Sequence, residues 1–246
     1  FFSGPESFTP DTNTLLGEVP EVKNFFVCCG LNSIGIGSGG GVGKVTAEWL
    51  MTGHINEDIF NYDIKRFQNF HSEIGFIKKR ITESLGDLYG MHWPFKQHKT
   101  SRNVKILPHH ENLKSFGACF GVSGGYERPM WFALDGEKAE YEYSYNYQNW
   151  YPSAEYETSN TTKNVGLFDL TPFSKFEIVS DNAHQELQRI CTANIKNEIG
   201  KCTYTHMLNS DGGIETDLTV VCLDKNHFRL ISSAATRERD KFHIKK

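Results

Sequence analysis

The run from Phe25 to Lys44, FFVCCGLNSIGIGSGGGVGK, constrains this chain more than any other stretch. An apolar, sulfur-bearing segment enters a glycine-dense turn, and helix-compatible residues, Val42 to Thr52, follow. Strand, glycine turn and helix start in that order bring backbone N–H groups and a helix N-terminus against an anionic or dipolar ligand. Two phosphate motifs nearly fit. A Walker A loop aligned on Gly43-Lys44 meets Ser38 at its first position and Val45 at its last, losing both the tight turn and the magnesium hydroxyl. Gly35-Ile36-Gly37-Ser38-Gly39-Gly40 satisfies G-x-G-x-x-G, but Gly30 to Ile34 separate it from the strand. No second strand ending in an acid follows about twenty residues on. A nicotinamide-binding fold therefore stands as an alternative, beside a purely structural glycine turn.

With 246 residues, the chain can build one large or two ordinary domains. At 38% hydrophobic and 23% charged it is neither disordered nor collagen-like. The net charge of −4 and the lack of a long basic run give a nucleic-acid partner no electrostatic support. No apolar run reaches the roughly 18 residues a membrane span needs. The start, FFSGPESFTPD, lacks a signal's basic region, apolar core and cleavage site. Phe1 is not an initiator Met, and RDKFHIKK brings no stop to the last element, so the chain reads as an internal piece of a longer protein. Cys28, Cys29, Cys119, Cys191, Cys202 and Cys222 form no C-x-x-C pair, and most sit in apolar stretches. They read as reduced, buried thiols of an intracellular protein, not a disulfide framework.

Periodicity and punctuation set the elements. Residues 3–24 read as loops around a short strand near Leu15, and Phe25 to Cys29 as a buried strand. Val42, Val45, Ala47, Trp49 and Leu50 give the following helix a packed face, ended near Gly53. From Asn56 to Phe95 the spacing predicts a charged amphipathic helix with the stripe Ile74, Ile77, Ile81 and Leu85, closed by Pro94. Lys96 to Gly125 reads as loops and short strands. The adjacent His109 and His110 point apart on any regular backbone, and no further ligands stand at zinc spacing. YEYSYNY (141–147) alternates at period two and predicts an edge strand. VGLFDLTPFSKFEIVS predicts two short strands around Thr171-Pro172, and Asp181 to Asn194 a helix with Asp181 as N-cap. Three strand-like runs then follow, joined by turns at Asn209–Gly213 and Asp224–Asn226. The fold class is α+β (mixed α/β), with boundaries near 55–62 and 120–135.

These motifs carry a resemblance. GPESFTPDTNTLLGEVPEVKNFFVCCGLNSIGIGSGGGVGK resembles the end of the flavin domain of FAD-dependent dimethylglycine and sarcosine dehydrogenases. That family includes dimethylglycine oxidase and the regulatory subunit of pyruvate dehydrogenase phosphatase. YDIKRF, ESLGDLYGMHWPF, TSR and YERPMWF look like its central domain. VGLFDLTPFSKFEI and YTHMLNSDGGIETDLTV look like the start of a folate-binding, glycine cleavage T-like aminomethyltransferase domain. The implied division is 1–60 for the C-terminal part of the FAD domain, 61–122 for the central domain and 123–246 for the N-terminal part of the folate-binding domain.

The resemblance implies that Gly30, Leu31, Asn32, Ser33, Ile34, Gly35 and Ile36 close over the flavin ring of FAD. Backbone dipoles there would stabilise negative charge on the reduced ring. Related monomeric amine oxidases carry a lysine near the position of Gly37; this chain does not. Tyr204 and Asp217, on either side of the Gly212-Gly213 turn, match the T-protein motif. Phe173 matches a folate wall, and Asp217 is implied to orient N10 of tetrahydrofolate and manage protons during one-carbon transfer. Ser233 stands where several T-proteins have Asn. The implied reaction is oxidative demethylation of an N-methylated glycine, with an electron-transfer flavoprotein or oxygen as acceptor and the one-carbon unit passed to tetrahydrofolate. No metal, nucleic acid or membrane span is expected, and the setting is bacterial cytoplasm or mitochondrial matrix. The dinucleotide fingerprint for FAD is not in this sequence, so these 246 residues alone are expected neither to bind FAD nor to turn over. The alternative within the family is a non-catalytic phosphatase regulator.

Overall fold

A computed structural model describes residues 1, 3–55 and 57–246. Phe2, in the N-terminal run, and Asn56, at the start of the charged stretch, lie outside the described residues. In chain order the elements are β1 (Leu15–Glu18), β2 (Phe26–Cys29), α1 (Gly35–Thr52), α2 (Ile74–Leu88), α3 (His110–Ser115), β3 (Ala118–Ser123), β4 (Tyr126–Phe132), α4 (Tyr151–Lys163), β5 (Ser174–Val179), α5 (Ala183–Ile190), β6 (Cys202–Leu208), β7 (Ile214–Asp224), β8 (His227–Ser232) and α6 (Arg237–Lys245). This is the expected mixed α+β class. None of the helices is long and apolar enough to cross a membrane, among the described residues.

The chain divides into two compact units. One comprises residues 1–9, 13–68 and 173–246. Its larger element is an antiparallel sheet in the order β5-β8-β7-β6. Alternation along β7 and β8 sends Leu218, Val220, Cys222, Phe228 and Leu230 to one face, where they pack with Ala183 and Leu187 of α5. The opposite face carries Phe173, Tyr204 and Asp217 and stays open. The turn at Asn209 is built as expected: the Asn209 Oδ1 accepts the Asp211 and Gly213 N–H groups at 3.0 and 2.8 Å. Asn182, not Asp181, precedes α5 as its cap; the Asp181 carboxylate instead accepts the Asn226 amide at 2.9 Å.

In the same unit, the β1–β2 ribbon leads into α1. This helix starts at Gly35, seven residues earlier than the sequence predicts, so the glycine run is helical and not a turn. It ends at Gly53, in the left-handed region at φ 79°, whose N–H donates to the Trp49 carbonyl at 2.8 Å. Trp49 is the buried residue of this helix, lying over Gly17, where a Cβ would meet its ring at 2.2 Å. The predicted buried strand Phe25–Cys29 is half-exposed, and Cys28 and Cys29 face outward with Cys202. Only Cys119, Cys191 and Cys222 are buried, and all six thiols are free.

The second unit comprises residues 10–12 and 69–172. The long predicted helix is confined to α2, preceded by short 3₁₀ turns at Ile64–Arg66 and Asn69–Ser72. Its buried face is Phe76, Arg80 and Ser84, whereas Ile74 is 69% exposed and Leu85 40%. Polar partners decide this: Arg80 Nη2 donates to the Thr100 carbonyl at 2.6 Å and Ser84 Oγ to the Pro10 carbonyl at 2.7 Å. Arg102 forks onto the buried Glu127, Nε–Oε1 2.7 Å and Nη2–Oε2 2.5 Å, joining the TSR and YERP motifs. His110 is buried with its ring 4.1 Å from that of Phe120. YEYSYNY forms no strand. Tyr141 and Tyr143 stack at 5.6 Å, and the Tyr143 hydroxyl accepts the Gln97 N–H at 2.9 Å, so side chains replace a ladder. Of the two strands predicted around Thr171-Pro172 only β5 forms; before it, Asp169 Oδ1 caps the Thr171 N–H at 2.9 Å and holds a turn.

Candidate functional site

The seven residues from Gly30 to Ile36 form the connection from β2 into the first turn of α1. Gly30, Asn32 and Ser33 all have left-handed backbones, at φ 67°, 48° and 65°. Asn32 makes that bend rigid. It is 1% exposed, its Oδ1 accepts the Thr9 N–H at 2.8 Å, and its Nδ2 donates to the Gly30 carbonyl at 2.7 Å. Its own N–H goes to the Ser7 carbonyl at 3.2 Å. Ser33 Oγ donates to Glu6 Oε2 at 2.5 Å. The side chains of Asn32 and Ser33 therefore hold the turn from within. The Ile34 and Ile36 side chains are exposed, and beside them the N–H groups of Gly35, Ile36 and Gly37 begin the helix, where no intrahelical acceptor exists. A Cβ at Gly37, Gly39, Gly40 or Gly41 would meet nothing within 4 Å. A helix start with free N–H groups, two exposed isoleucines and a fixed approach suits contact with a flat, electron-rich ring edge, so these residues are compatible with the flavin implied above.

The folate candidates gather on the open sheet face. Tyr204 Oη donates to Asp217 Oδ2 at 3.1 Å across β6 and β7. The register pairs Tyr204 with Thr219 and His206 with Asp217, so the phenol reaches its carboxylate diagonally. The carboxylate accepting its proton holds the Tyr204 phenol above its usual range. Ser174 faces Ser232, and Ser232 faces Leu218. One residue further along each strand, Phe173, Ser233 and Asp217 fall into a single transverse row that His206 completes on β6. His206 was missed by sequence reasoning; its ring lies 5.4 Å from that of Tyr204, nearly perpendicular. The period-two parity of YTHMLN and IETDLTV, aligned through the Asn209–Gly213 turn, is the signal that could have found it.

A separate cavity of about 510 Å³ in this unit is lined by Glu18, Trp49, Asp63, Lys65, Arg239 and Phe242, among others, and by none of the candidate residues. Two of its cations are already paired, Lys65 with Asp63 at 3.1 Å and Arg239 with Glu215 at 3.2 Å.

Comparison with known proteins shows the family. A family described as the GCVT N-terminal domain matches residues 109–246, and one described as the FAD dependent oxidoreductase central domain matches residues 52–106. The chain is 39% identical to a 4-methylaminobutanoate oxidase (formaldehyde-forming) of Paenarthrobacter nicotinovorans, over all of this chain and 30% of that protein. It is 34% identical to human mitochondrial sarcosine dehydrogenase, over 91% of this chain and 27% of the relative. It is 33% identical to the mouse mitochondrial pyruvate dehydrogenase phosphatase regulatory subunit, over 93% of this chain and 26% of the relative. The chain thus spans about a third or less of the length of these relatives. With both domain types matched in sequence order, it belongs to the family of FAD-dependent oxidoreductases that join this central domain to a GCVT N-terminal domain.

Proposed function

We propose that this chain carries the flavin-edge turn and the folate-facing sheet of an enzyme that oxidatively demethylates an N-methylated amino acid, dimethylglycine or sarcosine first among them, and passes the one-carbon unit to tetrahydrofolate. The division at residues 60 and 122 is part of that reading. The observation that carries it is Asp217, in one row with Phe173 and Ser233 on the open sheet face and hydrogen-bonded diagonally by Tyr204. When bound, FAD supplies the hydride acceptor that turns the N-methyl amine into an iminium. Leu31 to Ile36 give that cofactor a rigid backbone approach, and the first N–H groups of α1 favour negative charge there.

On the sheet, Phe173 offers an apolar wall and Asp217 a carboxylate whose orientation Tyr204 fixes. One folate nitrogen would attack the methylene carbon of the iminium and form the first C–N bond, its proton passing by way of the Asp217 carboxylate to the amine nitrogen. The amine's C–N bond then breaks, the protonated amine leaves, and the second folate nitrogen closes the methylene bridge as its own proton passes to the carboxylate. Ser233, in place of an amide, leaves this site a hydroxyl donor and acceptor at the centre of the row.

The test is anaerobic titration of the full-length flavoprotein with sarcosine, dimethylglycine and 4-methylaminobutanoate, the last because of the 39% identical oxidase. Bleaching of the flavin absorbance by one of them is expected; no bleaching by any N-methyl amine sinks the reading. The 33% identical phosphatase subunit supports a second reading, a non-catalytic regulator. Binding to a phosphatase catalytic subunit without amine oxidation would favour it.

A further inference from the structure

Behind the candidate folate row, on the closed face of the sheet, stands a buried carboxyl that the reaction does not use. Asp240, in the first turn of α6, is 1% exposed. Its Oδ2 accepts the Ser232 hydroxyl at 2.5 Å and the Thr236 hydroxyl at 2.8 Å. The Thr216 hydroxyl, which donates to the Asp217 carbonyl at 3.3 Å, lies near enough to the same carboxyl to favour its ionised form. Its Oδ1 has no hydrogen-bond partner among the described residues. Ser232 ends β8, Thr216 lies on β7, and Thr236 is the cap position of α6.

The pleat of a strand turns the next residue to the opposite face. After Ser232 comes Ser233, and after Thr216 comes Asp217. One carboxyl thus ties β8 to α6 at Ser232 and stands beside Thr216 of β7, the two points where these strands present members of the row. The surrounding closed face is filled by Met207, Leu218, Val220, Phe228 and Leu230, so packing alone does not call for an acid here. An incompletely paired buried carboxyl is a costly group to keep in such a core.

We propose that Asp240 is a positioning residue that fixes the relative placement of Asp217 and Ser233 and so shapes the tetrahydrofolate-binding row. This rests on the folate reading above. Removing the acceptor leaves the Ser232 and Thr236 hydroxyls without their shared partner, frees β8 from α6 and opens space beside Thr216 of β7. The Tyr204–Asp217 contact on the far face then loosens. Burial raises the Asp240 carboxyl above its ordinary value despite its hydroxyl donors, favouring the neutral form. Asn has nearly the shape of that form and keeps an acceptor oxygen.

The experiment uses the full-length protein and compares Asp240→Ala, Asp240→Asn and Leu187→Ala, the last a buried core residue that does not contact Asp240's hydroxyls. Tetrahydrofolate binding is measured by calorimetry, one-carbon transfer as separate kcat and KM, Tm by thermal unfolding, and Tyr204 ionisation by ultraviolet difference absorbance against Tyr204→Phe. Asp240→Ala is expected to weaken folate binding about tenfold or more, while Leu187→Ala stays within about twofold and Asp240→Asn within about threefold of the parent. Asp240→Ala should also lower the Tyr204 ionisation pH, a signal that needs no folate and that general destabilisation does not move. Folate affinity and Tyr204 ionisation unchanged in Asp240→Ala overturn the proposal. So does an Asp240→Asn variant no better than Asp240→Ala. If Asp240→Ala does not fold, Ser232→Ala provides the same two readouts, and unchanged values there count against the proposal equally. An unsubstituted protein that binds no tetrahydrofolate overturns the folate reading and this one together; binding that is insensitive to Asp240 overturns this one alone.

Discussion

The pairing of Tyr204 with Asp217 has a consequence that can be read without any ligand. A phenol that donates to a carboxylate loses that bond when it ionises, and the new phenolate faces a like charge, so its pKa rises. Asp217→Asn removes the charge and keeps an acceptor. The expected result is a fall in the Tyr204 ionisation pH, seen as phenolate absorbance appearing earlier in an alkaline titration than in the parent chain. An unchanged titration would mean that the two side chains do not meet in solution. Thiol chemistry divides in a similar way. Burial pushes the Cys119 and Cys191 thiols up to about 11, so both stay protonated and enclosed near neutral pH. Cys28, Cys29 and Cys202 are exposed. A disulfide reagent at pH 7.5 should therefore label those three on the folded chain and reach Cys119, Cys191 and Cys222 only on unfolding, counted by intact mass.

Among the elements, α1 is unusual in carrying Gly35, Gly37, Gly39, Gly40, Gly41 and Gly43 in a helical conformation. Glycine costs a helix interior about 0.5–1 kcal/mol relative to alanine, so the first half of α1 is weakly specified by its own residues. Gly39→Ala and Gly41→Ala meet nothing within 4 Å and should each raise stability by about 0.5–1 kcal/mol in this chain, measured by urea unfolding. In the other unit, the Arg102–Glu127 fork holds β4 to the loop after α2. Burial pushes the Glu127 carboxyl up, but the guanidinium and the Asn103 N–H outweigh it and hold it below the usual 4.5. Because the folded value is depressed, the stabilisation is complete above the unfolded value near 4.5 and is lost as pH falls through the folded one. Glu127→Ala leaves a partly buried guanidinium unpaired and should cost about 3–5 kcal/mol at pH 7, with a smaller difference from the parent in acid.

The same elements explain what could be read in advance. The hairpins of the four-stranded sheet were legible because Asn209, Gly212 and Gly213 encode their turn chemically and the flanking runs alternate. The start of α1 was not, because six glycines carry no helical pattern and only the flanking context makes them helical. The face of α2 was misread because its buried stripe includes Arg80 and Ser84, polar residues that a hydrophobic pattern assigns to solvent. The YEYSYNY segment has a strand's period, but an extended chain satisfied by side chains has the same period. At the site, Tyr204 and Asp217 were visible through their places around the turn, whereas Asp240 meets the hydroxyls of Ser232 and Thr236, from a strand and a helix cap, and has no sequence spacing to betray it.

At the level of the whole molecule, two chemistries sit on different elements of one unit: a backbone-lined helix start at Gly35 and an open sheet face at Asp217. The first depends on N–H groups and the second on a side-chain carboxylate, so one can be removed without the other. Asp217→Ala takes away the carboxylate proposed to orient the folate and leaves every residue from Gly30 to Ile36 as it was. In the full-length protein, flavin bleaching by the amine should then proceed at the parent rate. An iminium that is not captured by a folate nitrogen is attacked by water instead; its C–N bond breaks, and formaldehyde and the demethylated amine leave. The variant should therefore release about one formaldehyde per turnover in the presence of tetrahydrofolate, where the parent protein yields mainly the methylene-folate, with loss of transfer of about 10²-fold or more. Formaldehyde trapping and flavin absorbance on the same sample measure both halves. Equal methylene-folate yields from variant and parent would remove Asp217 from the transfer chemistry, and a variant whose flavin no longer bleached would show the two chemistries to be coupled through the unit they share.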